Sequence, residues 1–514
     1  MQSSLTLNEQ VKRTIALIIS SGYQLDPEGL VYLQNLAKDK KIEDWIKTVI
    51  NSLSDLDEKP LFITKKILEE NVDNTPTTET SVHGIASVGE PFRAYAREIK
   101  SEIEVLEDVV TTDSLPRTLD NFLELFKDRF NKIEKILKKR LDTRDAVSIN
   151  VALESSQKAK VKTIGIVMEK RENKKNIFIR IEDREASAMV LVPSNVERKV
   201  FKTAQRIFLD QVICVEAIKG RNDLLIATNL INPDIPEKKH KIATDQVYAA
   251  LLSDLHVGSK EFLEGAFQNF IHWLKGKNGN HKQKEIAGRV KYIIIAGDIV
   301  DGIGIYPNQE KDLSIKNVYE QYRYAAKLIE KIPEYIEVII SPGNHDATRH
   351  ALPQPQILKE YAEPLYEARN VIMVRNPAKI RLHGVNFLLF HGRSLDDVIH
   401  AIPDVTYQNL EQSTHIAMRQ LLKVRHLAPT YGNKTPITPL PNDALVIDTP
   451  PDIFHAGHLH VIGYEMYRGT LIINSGTWQS KTPFQERMGL TPTPGIAPIV
   501  DLNTFNVMPI NFLS

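Results

Sequence analysis

The chain has 514 residues, 42% of them apolar and 25% charged, the composition of a globular protein long enough for several domains and neither fibrous nor disordered. Lys+Arg and Asp+Glu are both 65, so net charge selects no partner, and any affinity for nucleic acid has to come from local basic patches. The lone Cys214 excludes an intrachain disulfide and a cysteine-based zinc site; the absence of an apolar run of roughly 18 residues, with the polar start Met1-Gln2-Ser3-Ser4, leaves a cytoplasmic protein with no membrane segment as the expectation.

Residues 1–70 read as a small helical domain. Val11, Ile15, Ile18 and Ile19 make an apolar stripe, Gly22 suits a helix C-cap, and Asp26-Pro27 suits an N-cap with proline at the first helical position. Further helices are expected over Trp45 to Ile50 and Pro60 to Leu68. The Thr-rich stretch with Thr75, Thr77, Thr78 and Thr80 has no apolar period, so residues 71–114 are assigned as a linker. In 115–150, Leu119, Phe122, Leu123, Phe126, Phe130, Ile133 and Ile136 recur at steps of three and four, an amphipathic helix ending in Lys138-Lys139-Arg140. Those cations suit a helix C-terminus and carry no functional weight alone.

In 151–238 the pattern changes to short strands at Val161 to Met168, Ile177 to Ile181, Ala188 to Val192, Val212 to Ile218 and Leu224 to Ala227. Five strands with one intervening helix suggest an OB-fold barrel. Its aromatics are only Phe178, Phe201 and Phe208, so docking to another protein is at least as good a use for it as binding a single strand. Cys214 lies in an apolar run of this region and reads as core. In 239–514 strands alternate with helical stretches: Tyr248 to Ser253, Tyr292 to Ala296, Glu337 to Ile340, Val371 to Val374, Val385 to Phe390, Ile453 to His455, Tyr464 to Tyr467 and Leu471 to Asn474. The expected fold class is therefore α/β, a two-sheet sandwich with helices outside.

Five segments of that last region sit where an apolar run gives way to a loop: Ser253-Asp254-Leu255-His256, Gly297-Asp298-Ile299-Val300-Asp301, Gly343-Asn344-His345-Asp346, His391-Gly392 and Gly457-His458-Leu459-His460. In Asp-x-His, side chains two apart on an extended strand end face one way, and His458-Leu459-His460 repeats the spacing. Imidazoles and carboxylates in this mixture suit manganese, iron or zinc better than calcium, and a carboxylate-bridged pair of ions roughly 3.5 to 4 Å apart is the geometry of phosphate-ester hydrolysis. Any one of these histidines could be structural, but five such segments in order are hard to assemble by chance. His272, His281, His383, His400, His415 and His426 lack that context.

The order and wording of the five segments resemble the calcineurin-like metallophosphoesterases over about residues 246–480. The resemblance implies one divalent metal held by Asp254, His256, Asp298 and His460 and a second by Asp298, Asn344, His391 and His458, with Asp298 as the bridge and His345 protonating the leaving alcohol. Asp346 is expected to orient the His345 ring and Asp301 a ligand, although a helix N-cap suits either equally. Arg393, two residues after His391, is a candidate for the non-scissile phosphate.

The flanking words narrow the resemblance. Asp298 to Pro307, Pro342 to Arg349, Gln354-Pro355-Gln356, His391 to Asp397 and Leu421 to Pro429, with the upstream barrel, are similar to the small subunits of archaeal family-D DNA polymerases over roughly 115–514. That similarity implies a 3′-to-5′ exonuclease acting on single-stranded or mismatched DNA 3′ ends beside a large polymerising subunit. A scaffold subunit without catalysis and a small-molecule phosphodiesterase of the same fold are the alternatives. Lys275, Lys277, Lys282, Lys284, Arg289 and Lys291 crowd one insertion, and Arg349, Lys423 and Arg425 lie near or between the motifs, in weak agreement with a DNA substrate.

Overall fold

The computed structural model describes residues 92–106, 118–173 and 175–513 without interruption and part of the segment 11–68. The chain divides into two compact units, Met1–Val88 and Gly89–Ser514. In the first, strand β1 (Gln24–Leu25) pairs in parallel with β2 (Phe62–Ile63), and helix α1 (Ile42–Ser54) comes between them in sequence. Val11, Ile18, Ile46, Val49, Ile63 and Leu68 share one buried cluster. The expected helix over Pro60 to Leu68 is thus opened by a strand, one too short for a period-two signal. Ile19, Gly22, Asp26, Pro27 and the Thr-rich stretch 71–87 lie outside the described residues.

The linker expected over 71–114 does not extend to its assigned end. Ile103–Val105 forms strand β3, paired antiparallel with Ala378–Leu382. Tyr292 Oη accepts from the Glu102 N–H at 2.8 Å, and Ile99 and Ile103 pack on the core between the two large sheets. Three residues carry too little periodicity to reveal a strand whose stability comes from tertiary pairing.

Helix α2 (Leu119–Lys138) follows, burying Leu125, Phe130, Ile133 and Leu137. Its basic end is structural: Lys138 pairs with Glu134, and Arg140 donates to the Asn232 and Pro233 carbonyls, each at 2.9 Å. Strands β4 (Lys160–Glu172), β5 (Asn176–Glu182), β6 (Ser187–Pro193), β7 (Val212–Lys219) and β8 (Leu224–Ile231) close a barrel in the order β4-β5-β6-β8-β7, with helix α3 (Arg198–Gln205) between β6 and β7 in sequence. Cys214 is buried where α2 meets the barrel, and burial pushes its thiol up to about 12. Phe208 is buried and Phe201 packs on the barrel core, so neither offers an open stacking face.

The remainder is α/β. Strands β9 (Tyr248–Leu252), β10 (Val290–Ala296), β11 (Glu337–Ser341), β12 (Val371–Met373), β13 (Ala378–Leu382), β14 (Val385–Phe390), β15 (Ile453–Ala456), β16 (Gly463–Tyr467), β17 (Thr470–Asn474), β18 (Ile496–Asp501) and β19 (Val507–Asn511) make two six-stranded sheets, ordered β12-β11-β10-β9-β18-β19 and β16-β17-β15-β14-β13-β3. Leu251, Tyr292, Ile294 and Ile339 of the first meet Ile380, Phe387, Leu389 and Ile473 of the second in one apolar layer. Alternate residues such as Ile293 and Ile295 face outward, against helices α4 (Glu264–Leu274) and α5 (Val318–Ile329), as the two-residue strand period requires. Each such buried aliphatic contributes roughly 1.5–3 kcal/mol, so the strand ends are firmly held.

Three of these strands escape a sequence reading. In β13, Lys379 and Arg381 interrupt the apolar signal. In β18 and β19, Pro498 and Pro509 argue against strands, yet they lie opposite each other, and β9 pairs only with Ile499, Val500 and Asp501, so neither proline removes a bond to the sheet interior.

Candidate metal centre

The five motifs follow five strands. β9, β10 and β11 run parallel in one sheet, and β14 and β15 run parallel in the other. Their C-terminal ends lie on one edge of the sandwich, where open α/β sheets carry their sites. Asp254, His256, Asp298, His391 and His460 come together there, all buried, with Asn344, His345 and His458 half-buried beside them.

Backbone conformation presents these side chains differently from the extended geometry expected. Asp254, His256, Asp298, His458 and His460 all have positive φ, between 51° and 69°. Left-handed residues alternate with ordinary ones in Asp-x-His and His-x-His, so the chain curls around the site instead of running past it. Such residues each cost about 1–3 kcal/mol and persist where surrounding structure imposes them, typically at functional sites. Two glycines allow the loops to close: Gly297 has φ +89°, and a Cβ at Gly343 would stand 2.1 Å from Asp298 Oδ1.

The imidazoles are fixed from behind. His391 Nδ1 donates to the Ala296 carbonyl at 2.8 Å, and His256 Nδ1 lies 3.0 Å from Asp301 Oδ1. Those contacts place a proton on each Nδ1 and turn both Nε2 atoms inward, the usual arrangement behind metal-ligating histidines. There His391 Nε2 meets Asn344 Oδ1 at 3.0 Å and Asp298 Oδ2 at 3.3 Å, and His256 Nε2 meets His460 Nε2 at 3.1 Å. Asp254 Oδ1 is fully buried with no hydrogen-bond partner, 3.4 Å from His460 Nε2. Two carboxylates and three imidazole nitrogens converging in one buried pocket are a disposition that bound positive charge stabilises. This donor set fits divalent cations: Asp254, His256 and His460 form one group and Asp254, Asp298 and His391 another, while Asp298 Oδ2 lies between His391 at 3.3 Å and His256 at 3.8 Å.

Charge follows the same logic. Burial alone would raise the Asp298 carboxyl, but the surrounding imidazoles, His391 foremost, hold it well below the usual carboxylate range. Burial likewise opposes ionisation of Asp254, and His460 outweighs it. Burial disfavours charge on His391 too, yet Asp298 raises it to about 9, while burial lowers His256.

The remaining expected residues separate into distinct positions. His345, half-buried, is edge-on to His256, and its Nδ1 donates to the Asp301 carbonyl at 2.7 Å. Asp346 does not touch that ring. It is buried beneath the site, accepting from the Gly343 and Ile299 N–H groups at 2.8 and 3.2 Å and from Tyr322 Oη at 3.1 Å, and so ties two motif loops together. Asp301, besides facing His256, accepts from Gln309 Nε2 at 2.9 Å and Gln479 Nε2 at 3.3 Å, which leaves no helix-cap role for it.

His458 stands apart from its expected group. Its Nε2 lies 3.1 Å from Asp396 Oδ2, with its ring 5.2 Å from that of His391. Arg393 is half-buried, and among the described residues no ion pair ties it to the cluster. Of the other basic residues singled out, Lys291 and Arg425 are buried and spent on backbone carbonyls, and Arg289 pairs with Glu285 against Tyr95. Sequence reasoning missed Asp396 and Gln485, which lies 2.8 Å from His460 Nδ1. Asp396 sits inside the quoted His391 to Asp397 motif; Gln485 carried no signal.

Residues 249–461 match the family model that describes the B subunits of DNA polymerases alpha and epsilon. The DNA polymerase II small subunit of Pyrococcus furiosus is 39% identical over 427 residues, covering 80% of this chain and 69% of that relative. The protein of the same description from Archaeoglobus fulgidus is 37% identical, with 92% of each chain covered. A solved structure titled as a novel archaeal phosphodiesterase aligns over 51% of this chain and 99% of its own, at 16% identity and a TM-score of 0.26.

Proposed function

Because the chain belongs to the family of archaeal DNA polymerase II small subunits, we propose that it is the editing member of the assembly: a metal-dependent 3′-to-5′ exonuclease working beside a large polymerising subunit. The observation that carries this reading is the buried cluster in which the Nε2 atoms of His256, His391 and His460 converge on Asp254 and Asp298, with no hydrogen bond formed to Asp254 Oδ1 among the described residues. A subunit serving only as a scaffold has no use for such an arrangement, which is costly without cations.

In this reading Asp254, His256, Asp298 and His460 would hold one cation, and Asp298, Asn344, His391 and His458 would hold a second. Bound there, divalent cations, manganese first with zinc and iron as alternatives, supply an activated water and neutralise charge growing on the phosphoryl oxygens. The protein's own part is positioning. Asp301, Ala296 and Gln485 fix the imidazoles, and Asp346 fixes the loops. His345, anchored through Nδ1–H, would act as the imidazolium, giving its Nε2 proton to the leaving 3′ oxygen and ending as the neutral ring. Arg393 takes a non-scissile phosphate.

The barrel's closed order, with one parallel pair between β6 and β8, supports its assignment as an OB-fold, and the paired sheets with outer helices support the calcineurin-like sandwich. Residues 1–70 are assigned to protein interaction. The test is release of nucleotides from 3′-labelled single-stranded and mismatched DNA in manganese, with and without the large subunit. Asp298→Ala should abolish it and His345→Ala should lower it about 10²–10⁴-fold; undiminished release by both variants overturns the assignment.

A further inference from the structure

Away from the cluster, a cavity of about 480 Å³ opens between barrel helix α3 and helix α6 (Leu410–Val424) of the sandwich. Arg198, Lys199, Lys202 and Arg206 reach it from the barrel side and Lys423 from the other. Its other lining residues, Thr203, Asn232 and Gln420, are neutral, so the wall contains no carboxylate and no aromatic ring.

Five cations around one concavity repel each other, and the fold leaves most of that repulsion uncompensated. Only Arg206 has an acidic group in ion-pair contact, Asp404; among the described residues Arg198, Lys199 and Lys202 have none, and Lys423 has Asp234 and Glu465 at longer range. Lys199 and Lys202 are three apart on the helix and Arg198 and Lys202 four apart, the spacings at which like charges on a helix oppose one another. Lys423 is half-buried beside the Tyr467 ring, and burial followed by the nearby Arg419 lowers its pKa although Asp234 and Glu465 act in the opposite sense. The two walls are fixed in place: the Asp234 N–H donates to the Lys423 carbonyl at 2.8 Å, and Arg206 pairs with Asp404 across the junction. Asn232 spends its oxygen on Gln211 Nε2 at 2.8 Å, which leaves its amide N–H groups to the cavity. Apart from the Gln420 amide oxygen and the Thr203 hydroxyl oxygen, the wall offers donors and positive charge.

We propose that this groove binds the phosphodiester backbone of a single nucleic-acid strand, without reading its bases, as a second contact separate from the metal cluster. A docked protein segment would call for apolar or aromatic anchors in the centre of the site, and there are none. A base-reading site would call for stacking platforms, also absent. What remains suits a linear polyanion, with affinity carried by release of its counterions and therefore steeply dependent on salt.

The test uses the full chain and a fluorescein-labelled 20-nucleotide oligothymidylate in EDTA, so that binding is read by anisotropy without cleavage. Lys199→Ala/Lys202→Ala/Lys423→Ala should weaken binding at low salt about tenfold or more and make the plot of log affinity against log salt shallower by about 2 for three lost phosphate contacts. Lys135→Ala/Lys327→Ala, two exposed lysines on helices α2 and α5, is the control and should change neither. The corresponding triple arginine variant should restore binding, which separates loss of charge from loss of fold. The alanine variant should also hydrolyse bis-p-nitrophenyl phosphate at the parent rate, so failure of the groove and failure of the nuclease assignment are distinguishable. Unchanged affinity and slope in the alanine variant overturn the proposal, as does competition by a polyglutamate peptide equal to that by the oligonucleotide.

Discussion

At the scale of residues, the histidine next to the cluster makes a prediction that depends on the substrate. His345 is held through Nδ1–H by a backbone carbonyl, so the proton it can give up is the Nε2 proton of its imidazolium form. A proton donor to a leaving group matters in proportion to that group's basicity. His345→Ala should therefore lower turnover of DNA, whose 3′ alkoxide is strongly basic, about 10²–10⁴-fold, and lower turnover of a p-nitrophenyl phosphodiester far less. Equal losses on both substrates rule out leaving-group protonation. Asp301 acts one layer further out, fixing the His256 ring through its carboxylate while two glutamine amides fix the carboxylate itself. Asp301→Asn should weaken manganese binding about 10–100-fold by titration calorimetry, with the fold intact by circular dichroism. An unaltered affinity would assign Asp301 to folding alone.

At the scale of elements, helix α2 joins the barrel to the sandwich through a buried ionic knot. Arg129 Nε donates to Asp443 Oδ2 at 2.9 Å and one terminal nitrogen donates to the Pro429 carbonyl at 2.7 Å, while His426 Nε2 lies 3.0 Å from the same Asp443 oxygen. Removing one member of a buried pair strands the other, so Asp443→Asn should cost about 3–5 kcal/mol of stability by denaturant unfolding. His426 also sets a pH dependence. Its Nδ1 accepts from the Ala428 N–H at 3.0 Å, so it is neutral, and burial followed by Arg129, opposed by Asp443, lowers it to about 4. The unfolded chain, with an ordinary histidine value near 6.5, binds this proton first as pH falls. Stability is then fully present above about 6.5 and declines down to about 4, an effect of about 3 kcal/mol for this one group. His455, also buried, titrates in the same sense, so the diagnostic quantity is the difference from His426→Gln, which should show a shallower slope over that window. Equal slopes would mean that His426 exchanges protons freely in the folded state.

At the scale of the whole molecule, what the sequence revealed depended on where each signal lay. The five motifs were legible because each needs a few residue types at one strand end, and apolar runs such as Tyr292 to Ala296 announce the strand. Their exact presentation was not, because the left-handed conformations at Asp254, His256, His458 and His460 are imposed by tertiary contacts that no local pattern records. The same limit misplaced the boundary before residue 115. Residues 92–106 look like linker, yet Ala96 is buried with its carbonyl accepting from Lys291 Nζ at 3.2 Å, Phe92 packs on one core, and β3 covers the edge of β13. Two truncations separate these readings. A chain beginning at Gly89 keeps every one of those contacts and should melt like the second unit of the full chain, with the same manganese affinity. A chain beginning at Leu115 uncovers the hydrogen-bonding edge of β13, empties the sites of Ile99 and Ile103 and leaves Lys291 buried beside a missing acceptor. It should melt several degrees lower and aggregate on concentration. Identical melting of the two would mean that β3 contributes no stability, and that the boundary belongs where sequence composition alone had put it.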